Sequence, residues 1–411
     1  MKVALAFTLT ILISLAISSC DEDIPIERKI QTVLNEEIDA FNIHGVSASV
    51  IVPDRKIWDA VGGLSHDTVS IKPEMLFAIG SVTKNFVAAL ALKLAEENIL
   101  SMEDPLSKWL PDFPYIDNKI TIRQLLNHTS GLYMFWDNQK IWDDLKKDRS
   151  KIWSPEEVLN YIKEPYFPPG KGWRYSNTNY LLMAMIIKKA TASNLSENFR
   201  KYFWQPLGIS NAFLSLEDEI PQNKLAHVYG DNFNFDDLNK DVTFLPRNSH
   251  ESITYGSSGI FITAHDLAFW CHALFEEEVL QESSIKEMLN FIEFSPTANM
   301  RAYGLGVQLY TRRFSSGEDA IGHGGGNIGT TTYMVYLPEH HVSIVVMINA
   351  FPNQGADAIT KSLIRIVLRE MNVIGLIPYF EFFPTGFIII CAFISLITLI
   401  IFRRRIWMRL K

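Results

Sequence analysis

The chain is predicted to be an α+β protein, a mixed β-sheet flanked by helices with an all-helical subdomain beside it. Three observations predict this. Strand-like runs sit near both ends of the chain. A long helical, loop-rich stretch separates them, from about Ser101 to Leu274. Of the 411 residues, about 350 remain once the two apolar terminal segments are set aside, a length that suits one large domain or two interleaved subdomains. Sheet and helices then form separate layers with a cleft between them.

The elements follow in order. Ile26 to Phe41 reads as a helix, and strands are expected at Val46 to Val52 and Lys56 to Gly62. Phe77-Ala78-Ile79-Gly80 leads into Ser81, and Phe86 to Leu94 is apolar on every face, a buried helix ending near Glu97-Asn98. Tyr180 to Ile187 is a second apolar helix, preceded by the turn-rich Pro168-Pro169-Gly170-Lys171-Gly172. Strands return at Tyr303 to Thr311, Thr331 to Leu337 and Val342 to Ile348, and Asp357 to Glu370 closes as an amphipathic helix.

Three segments carry chemistry. Ser81-Val82-Thr83-Lys84 opens the buried helix, where residues three apart lie side by side, so the Lys84 amine reaches the Ser81 hydroxyl. A helix start offers unpaired N–H groups and a positive dipole end, and apolar neighbours disfavour a charged amine. Lys84 is thus a candidate base. Tyr175-Ser176-Asn177 lies on a loop just before the second apolar helix and can project a phenol and an amide into a cleft. Gly322-His323-Gly324-Gly325-Gly326 precedes a strand, and its four glycines allow close backbone approach. Each segment alone has a bland reading. A second Ser-x-x-Lys, Ser283 to Lys286, lies in a charged stretch without companions and reads as a solvated helix face.

In this order the segments resemble the serine beta-lactamase and penicillin-binding-protein superfamily, in its class C and DD-peptidase-like branch, over residues 27 to 372. The related S-x-x-K, S-D-N and K-T-G set here becomes Ser81 to Lys84, Tyr175-Ser176-Asn177 and His323-Gly324-Gly325. Ile122 to Leu132, with Asn127-His128-Thr129-Ser130-Gly131, is similar to another signature of the branch. The resemblance implies a mainly antiparallel sheet covered by helices. It also implies Ser81 as nucleophile, Lys84 as its proton acceptor and Tyr175 as general base and acid. Asn177 would orient substrate and Lys84. Gly325 and Gly326 would line the substrate, with the N–H groups of Ser81 and Gly326 as oxyanion hole.

One departure bears on substrate. Class C beta-lactamases carry Lys where this chain has His323, whose unperturbed pKa near 6.5 leaves it mostly neutral at pH 7. Gly324 also replaces a small hydroxyl residue. The expectation is a hydrolase of peptides, amides or esters, possible substrates including cell-wall peptides. A weak class C-like beta-lactamase and a non-catalytic penicillin-binding or regulatory envelope protein are the alternatives. His128 reads as a residue of a turn that caps backbone, and His340-His341 as part of a hairpin.

The ends speak of location. Met1-Lys2, an apolar stretch and Ile17-Ser18-Ser19-Cys20 read as a signal peptide over residues 1–19, with an ending that resembles a lipobox and would make Cys20 the lipidated residue. Residues 20–26 form a tether. Thr385 to Phe402 is an uncharged segment long enough to span a bilayer, and the basic tail 403–411 is expected on the cytoplasmic side. A bacterial cell membrane with the catalytic domain outside is implied, and membrane lipid is a partner. Net charge of −8 argues against nucleic acid. No H-E-x-x-H or paired-Cys set calls for a metal, and no cofactor is expected. Cys20, Cys271 and Cys391 offer no plausible disulfide pair.

Overall fold

The computed structural model describes residues 24–230, 239–297, 299–352, 355–371 and 373. The chain divides after Ile364, and the site lies wholly in the first unit. The described part of the second continues the helix Gly355–Glu370 to a turn. The segments 1–19, Cys20, 385–402 and 403–411 lie outside the described residues. Among the described residues no helix is long and apolar enough to cross a membrane.

The strands, in chain order, are β1 (Gly45–Ile51), β2 (Ile57–His66), β3 (Val69–Ser70), β4 (Phe77–Ala78), β5 (Ala212–Leu214), β6 (Tyr229–Gly230) and β7 (Ile260–Ile262), followed by β8 (Ile292–Glu293), β9 (Met300–Tyr303), β10 (Gln308–Tyr310), β11 (Ile321–Asn327), β12 (Thr330–Leu337), β13 (Val342–Ile348) and β14 (Ala350–Phe351). Nine form one antiparallel sheet in the order β3-β2-β1-β13-β12-β11-β10-β9-β8. First and last parts of the sequence thus meet in mid-sheet, where Ala48 faces Val346 and Val50 faces Ile344. Every residue of β1 and β13 is buried, because helices cover both faces there. This is why β13, apolar but for Ser343, reads as a near-continuous run rather than an alternation, and why even Ser47 and Ser49 of β1 are buried. Helix Ile26–Phe41 packs on β2, burying Ile30 and Leu34, and helix Ala264–Phe275 packs on β13 with Leu267 and Trp270 buried.

Helix Thr83–Glu96 runs through the core with only its last turn near solvent. Its neighbour is helix Asn177–Thr191, also buried over most of its length. A capping box, Thr121 with Gln124, starts the short helix Ile122–Leu126 that delivers His128 to the same region. Such a cap contributes on the order of 1 kcal/mol.

Three expectations need correction. The middle of the chain is not all helix: β5 and β7 join β4 in a small antiparallel sheet, because their residues pair beneath the nucleophile turn. The strand expected over Tyr303 to Thr311 is two strands broken at Gly304–Gly306. The chain there presses against its neighbours, since a Cβ on Gly304 would lie 2.2 Å from the Met288 carbonyl and one on Gly306 2.6 Å from Ala88 Cβ. Finally, the glycine-rich segment at His323 is itself a strand, β11, paired residue for residue with β12.

Candidate active site

Ser81 sits on a single 3₁₀ turn, Gly80–Val82, that joins β4 to the buried helix Thr83–Glu96. The turn is pinned from behind by the Ile79 N–H, which donates to the Ile260 carbonyl at 3.0 Å. Gly80 has φ 52°, and a Cβ there would lie 2.3 Å from the Gly326 carbonyl oxygen. Only glycine satisfies both the left-handed backbone and the close approach.

One turn on, Lys84 is fully buried. Its Nζ lies 3.0 Å from Ser81 Oγ and donates to the Ser257 carbonyl at 2.9 Å. No carboxylate faces it, and burial alone drives its pKa well below the usual lysine value. An unpaired ion in such a place would cost several kcal/mol, more than two hydrogen bonds return, so the amine is neutral. With one N–H spent on Ser257, the lone pair is free to accept the Ser81 proton. That is the geometry of a base.

Tyr175 lies on the loop ahead of helix Asn177–Thr191, partly buried, with its phenol close enough to Ser81 to feel it. The Lys84 Nζ is 4.9 Å from its ring centroid. Burial raises the phenol above its ordinary pKa, opposed by Ser81. The neutral phenol therefore carries a proton it can pass on. Asn177 is the first residue of the helix rather than part of the loop. Among the described residues its buried Oδ1 has no hydrogen-bond partner, and the acceptors of Lys84 are Ser81 and Ser257. The Ser257 carbonyl holds the amine in place.

The wall opposite is β11. A Cβ on Gly325 would lie 2.0 Å from the Ile79 carbonyl and 3.0 Å from the Ser81 nitrogen. β10 pairs with β11 only at Ile321 and Gly322, so the rest of that edge is open. The Gly324 N–H points off the open edge to Gln308 Oε1 at 3.0 Å. Backbone donors alternate along a strand, so the Gly326 N–H points the same way, beside Ser81. The two donors expected of an oxyanion hole are therefore adjacent.

His323 is fully buried and both ring nitrogens are engaged. Nδ1 lies 2.6 Å from the Gly324 carbonyl, which can only accept, so Nδ1 carries the proton. Nε2 then accepts from the Tyr303 hydroxyl at 2.9 Å. Burial pushes its pKa down to about 3. The expected neutrality holds, but the ring has no free polar atom for substrate. Within β11 the ring links Tyr303 to the Gly324 carbonyl.

A match to the beta-lactamase family model runs over residues 30–369. The chain belongs to the beta-lactamase family. It is 28% identical to penicillin-binding protein 4* of Bacillus subtilis (strain 168) over 294 residues, 68% of this chain and 62% of that protein. It is 25% identical to the D-aminopeptidase of Brucella anthropi over 303 residues, 73% of this chain and 54% of that protein. The chain thus spans less than two thirds of these relatives' own length. A solved D-stereospecific amidohydrolase from Streptomyces sp. superposes with a TM-score of 0.72 at 26% identity, covering 85% of this chain and all of that one.

Ser81 and Lys84, one turn apart, are joined by Tyr175 from a distant stretch of the sequence, with Gly325 and Gly326 against the Ser81 turn. Residue patterns missed the Ser257 carbonyl because any residue type supplies one. The signal was Gly256, whose φ of 74° and contact with the Tyr180 carbonyl fold the Thr254–Ser258 turn toward Lys84. No group of three metal-ligating side chains occurs among the described residues.

Proposed function

We propose that this beta-lactamase-family chain is a serine hydrolase that forms an acyl-enzyme on Ser81 with D-amino-acid amides, peptides or esters. The observation that carries the reading is the neutral, buried Lys84 amine 3.0 Å from Ser81 Oγ, with the Tyr175 phenol close by. Ser81 Oγ attacks the carbonyl carbon as its proton passes to Lys84. The developing oxyanion is held by the Ser81 and Gly326 N–H groups, each contributing about 3 kcal/mol. Tyr175 relays the proton to the departing nitrogen or oxygen, and its phenol is reprotonated from Lys84. Water then enters by the reverse sequence and the acyl bond to Ser81 breaks.

The substrate class rests on His323. A neutral, fully engaged ring is no anchor for the carboxylate of an antibiotic, which disfavours efficient beta-lactam hydrolysis. The names of the relatives, a D-aminopeptidase and a D-stereospecific amidohydrolase, point to the same class. The apolar start with Cys20 and the basic-flanked segment 385–402 support a lipid-anchored, membrane-bound chain, its catalytic domain extracytoplasmic and its tail 403–411 inside.

The test is turnover by the full chain in detergent. It would be assayed on a D-Ala-D-Ala peptide, a D-amino-acid amide, a nitrophenyl ester and a chromogenic cephalosporin. Amide or ester turnover exceeding the cephalosporin at least tenfold is expected. Preference for the cephalosporin would replace this reading with a beta-lactamase, and binding without turnover by a non-catalytic receptor.

A further inference from the structure

Tyr175 sits on a loop, yet its hydroxyl must hold station on Ser81. His128 meets the loop on both sides of it. The His128 carbonyl accepts the Arg174 N–H at 3.1 Å, and His128 Nδ1 accepts the Ser176 N–H at 3.2 Å. Between these two bonds the imidazole packs on the Tyr175 ring, centroids 4.3 Å apart. Asn179 Nδ2, from the first turn of helix Asn177–Thr191, is 2.9 Å from the same Nδ1. Asn179 is itself oriented by Ser130, whose hydroxyl donates to Oδ1 at 2.6 Å, which leaves the amide nitrogen to donate to the ring. The Ser176 N–H can only donate, so Nδ1 accepts and the ring proton sits on Nε2, which is buried without a partner among the described residues. His128 is fully buried and its backbone is left-handed, φ 62°, a costly state for a residue with a Cβ. The chain holds that state where one residue can grip Arg174, Tyr175 and Ser176 together.

We infer that His128 is a positioning residue that fixes the Tyr175 phenol over Ser81, with Asn179 and Ser130 setting its tautomer. Backbone capping alone would need only one of these contacts. Burial keeps the ring neutral, so it can accept the Ser176 N–H across the working pH range.

The inference rests on the serine-hydrolase reading, and a double-mutant cycle separates the two. The rate of Ser81 modification by a fluorophosphonate is measured in the full chain, in His128→Ala, in Tyr175→Phe and in the pair. His128→Ala is expected to slow labelling about 30- to 100-fold, and to have less than a threefold effect once Tyr175 is Phe, because a misplaced phenol and an absent one act alike. His128→Asn, which keeps an acceptor for Ser176, is expected to recover part of the rate. Full multiplication of the two single effects overturns the inference, as does wild-type labelling of His128→Ala. An unmodified chain that takes no label overturns the parent reading together with it. If His128→Ala fails to fold, Asn179→Asp is the second variant. A carboxylate cannot donate to Nδ1, so the ring proton moves there, Ser176 loses its acceptor, and labelling is expected to slow about tenfold with a normal melting temperature. Unchanged labelling of folded Asn179→Asp overturns the tautomer argument and the inference.

Discussion

Ser81 to Lys84 and Ser283 to Lys286 are the same four-residue pattern in two settings. Both serines open helical turns, and both lysines lie one turn later. Lys84 is buried with no counterion and is driven far below the usual lysine pKa. Lys286 is exposed, pairs with Glu282 and is raised above it. The first is a neutral base on a serine with a phenol close by; the second is a solvated cation with nothing to act on. Spacing brings an amine to a hydroxyl, but the surroundings decide its proton.

The largest expected contrast between the two copies is in catalysis itself. Ser81→Ala is expected to remove amide and ester turnover, a loss on the order of 10⁶ in kcat as for other catalytic serines. Ser283→Ala is expected to leave kcat within a factor of two. Comparable losses in both, measured on the same substrate, would erase the distinction.

Next comes the partner that only the first copy has. Tyr175→Phe removes the proton relay and is expected to lower kcat by about 10²- to 10⁴-fold, with an unchanged near-UV circular dichroism spectrum. Full activity in the folded variant would leave Lys84 as sole base and discard the phenol's role.

Smaller is the effect of the wall. Gly325→Ala would force a Cβ to within 2.0 Å of the Ile79 carbonyl, so β11 must move off Ser81. Loss of the second oxyanion donor is expected to cost about 10²- to 10³-fold in kcat with a smaller change in KM. A normal kcat would show that Gly326 does not hold the oxyanion.

The smallest contrast is in stability, and its sign depends on pH. Lys84 binds fewer protons folded than unfolded below about pH 10.4, so its contribution to stability rises with pH up to that value. Lys84→Met is therefore expected to raise the melting temperature near neutral pH, by a margin that shrinks toward pH 10. His323, pushed down to about 3, adds an acid-side loss as pH falls below about 6.5 toward that value. Lys286→Met is expected to leave the melting temperature nearly unchanged at any pH. Equal pH dependence of melting in the two lysine variants would contradict the burial of Lys84.

Much of this was legible in residue order. The run Val342 to Ile348 is a strand to the residue, and the apolar run after Ser81 is the buried helix it promised to be. Ser81, Lys84 and Tyr175 were legible because each needs a particular functional group. Gly322 to Asn327 was placed ahead of a strand rather than in one, since glycine has no strand preference of its own and pairing with β12 decided the matter. His323 was legible as a neutral imidazole but not in its contacts, because which groups meet its two nitrogens depends on Tyr303 and the Gly324 carbonyl.

By itself, then, the sequence determined the chemical inventory: a hydroxyl, an amine one turn away, a phenol, and glycines where backbones must touch. It determined the apolar runs as well, because burial acts on side chains one residue at a time. Only the tertiary structure decided the protonation states. The Lys84 amine is neutral because the folded chain strips its water and offers Ser257 in place of a carboxylate. Desolvation and backbone acceptors belong to no single residue; they exist only once distant segments have closed around one point.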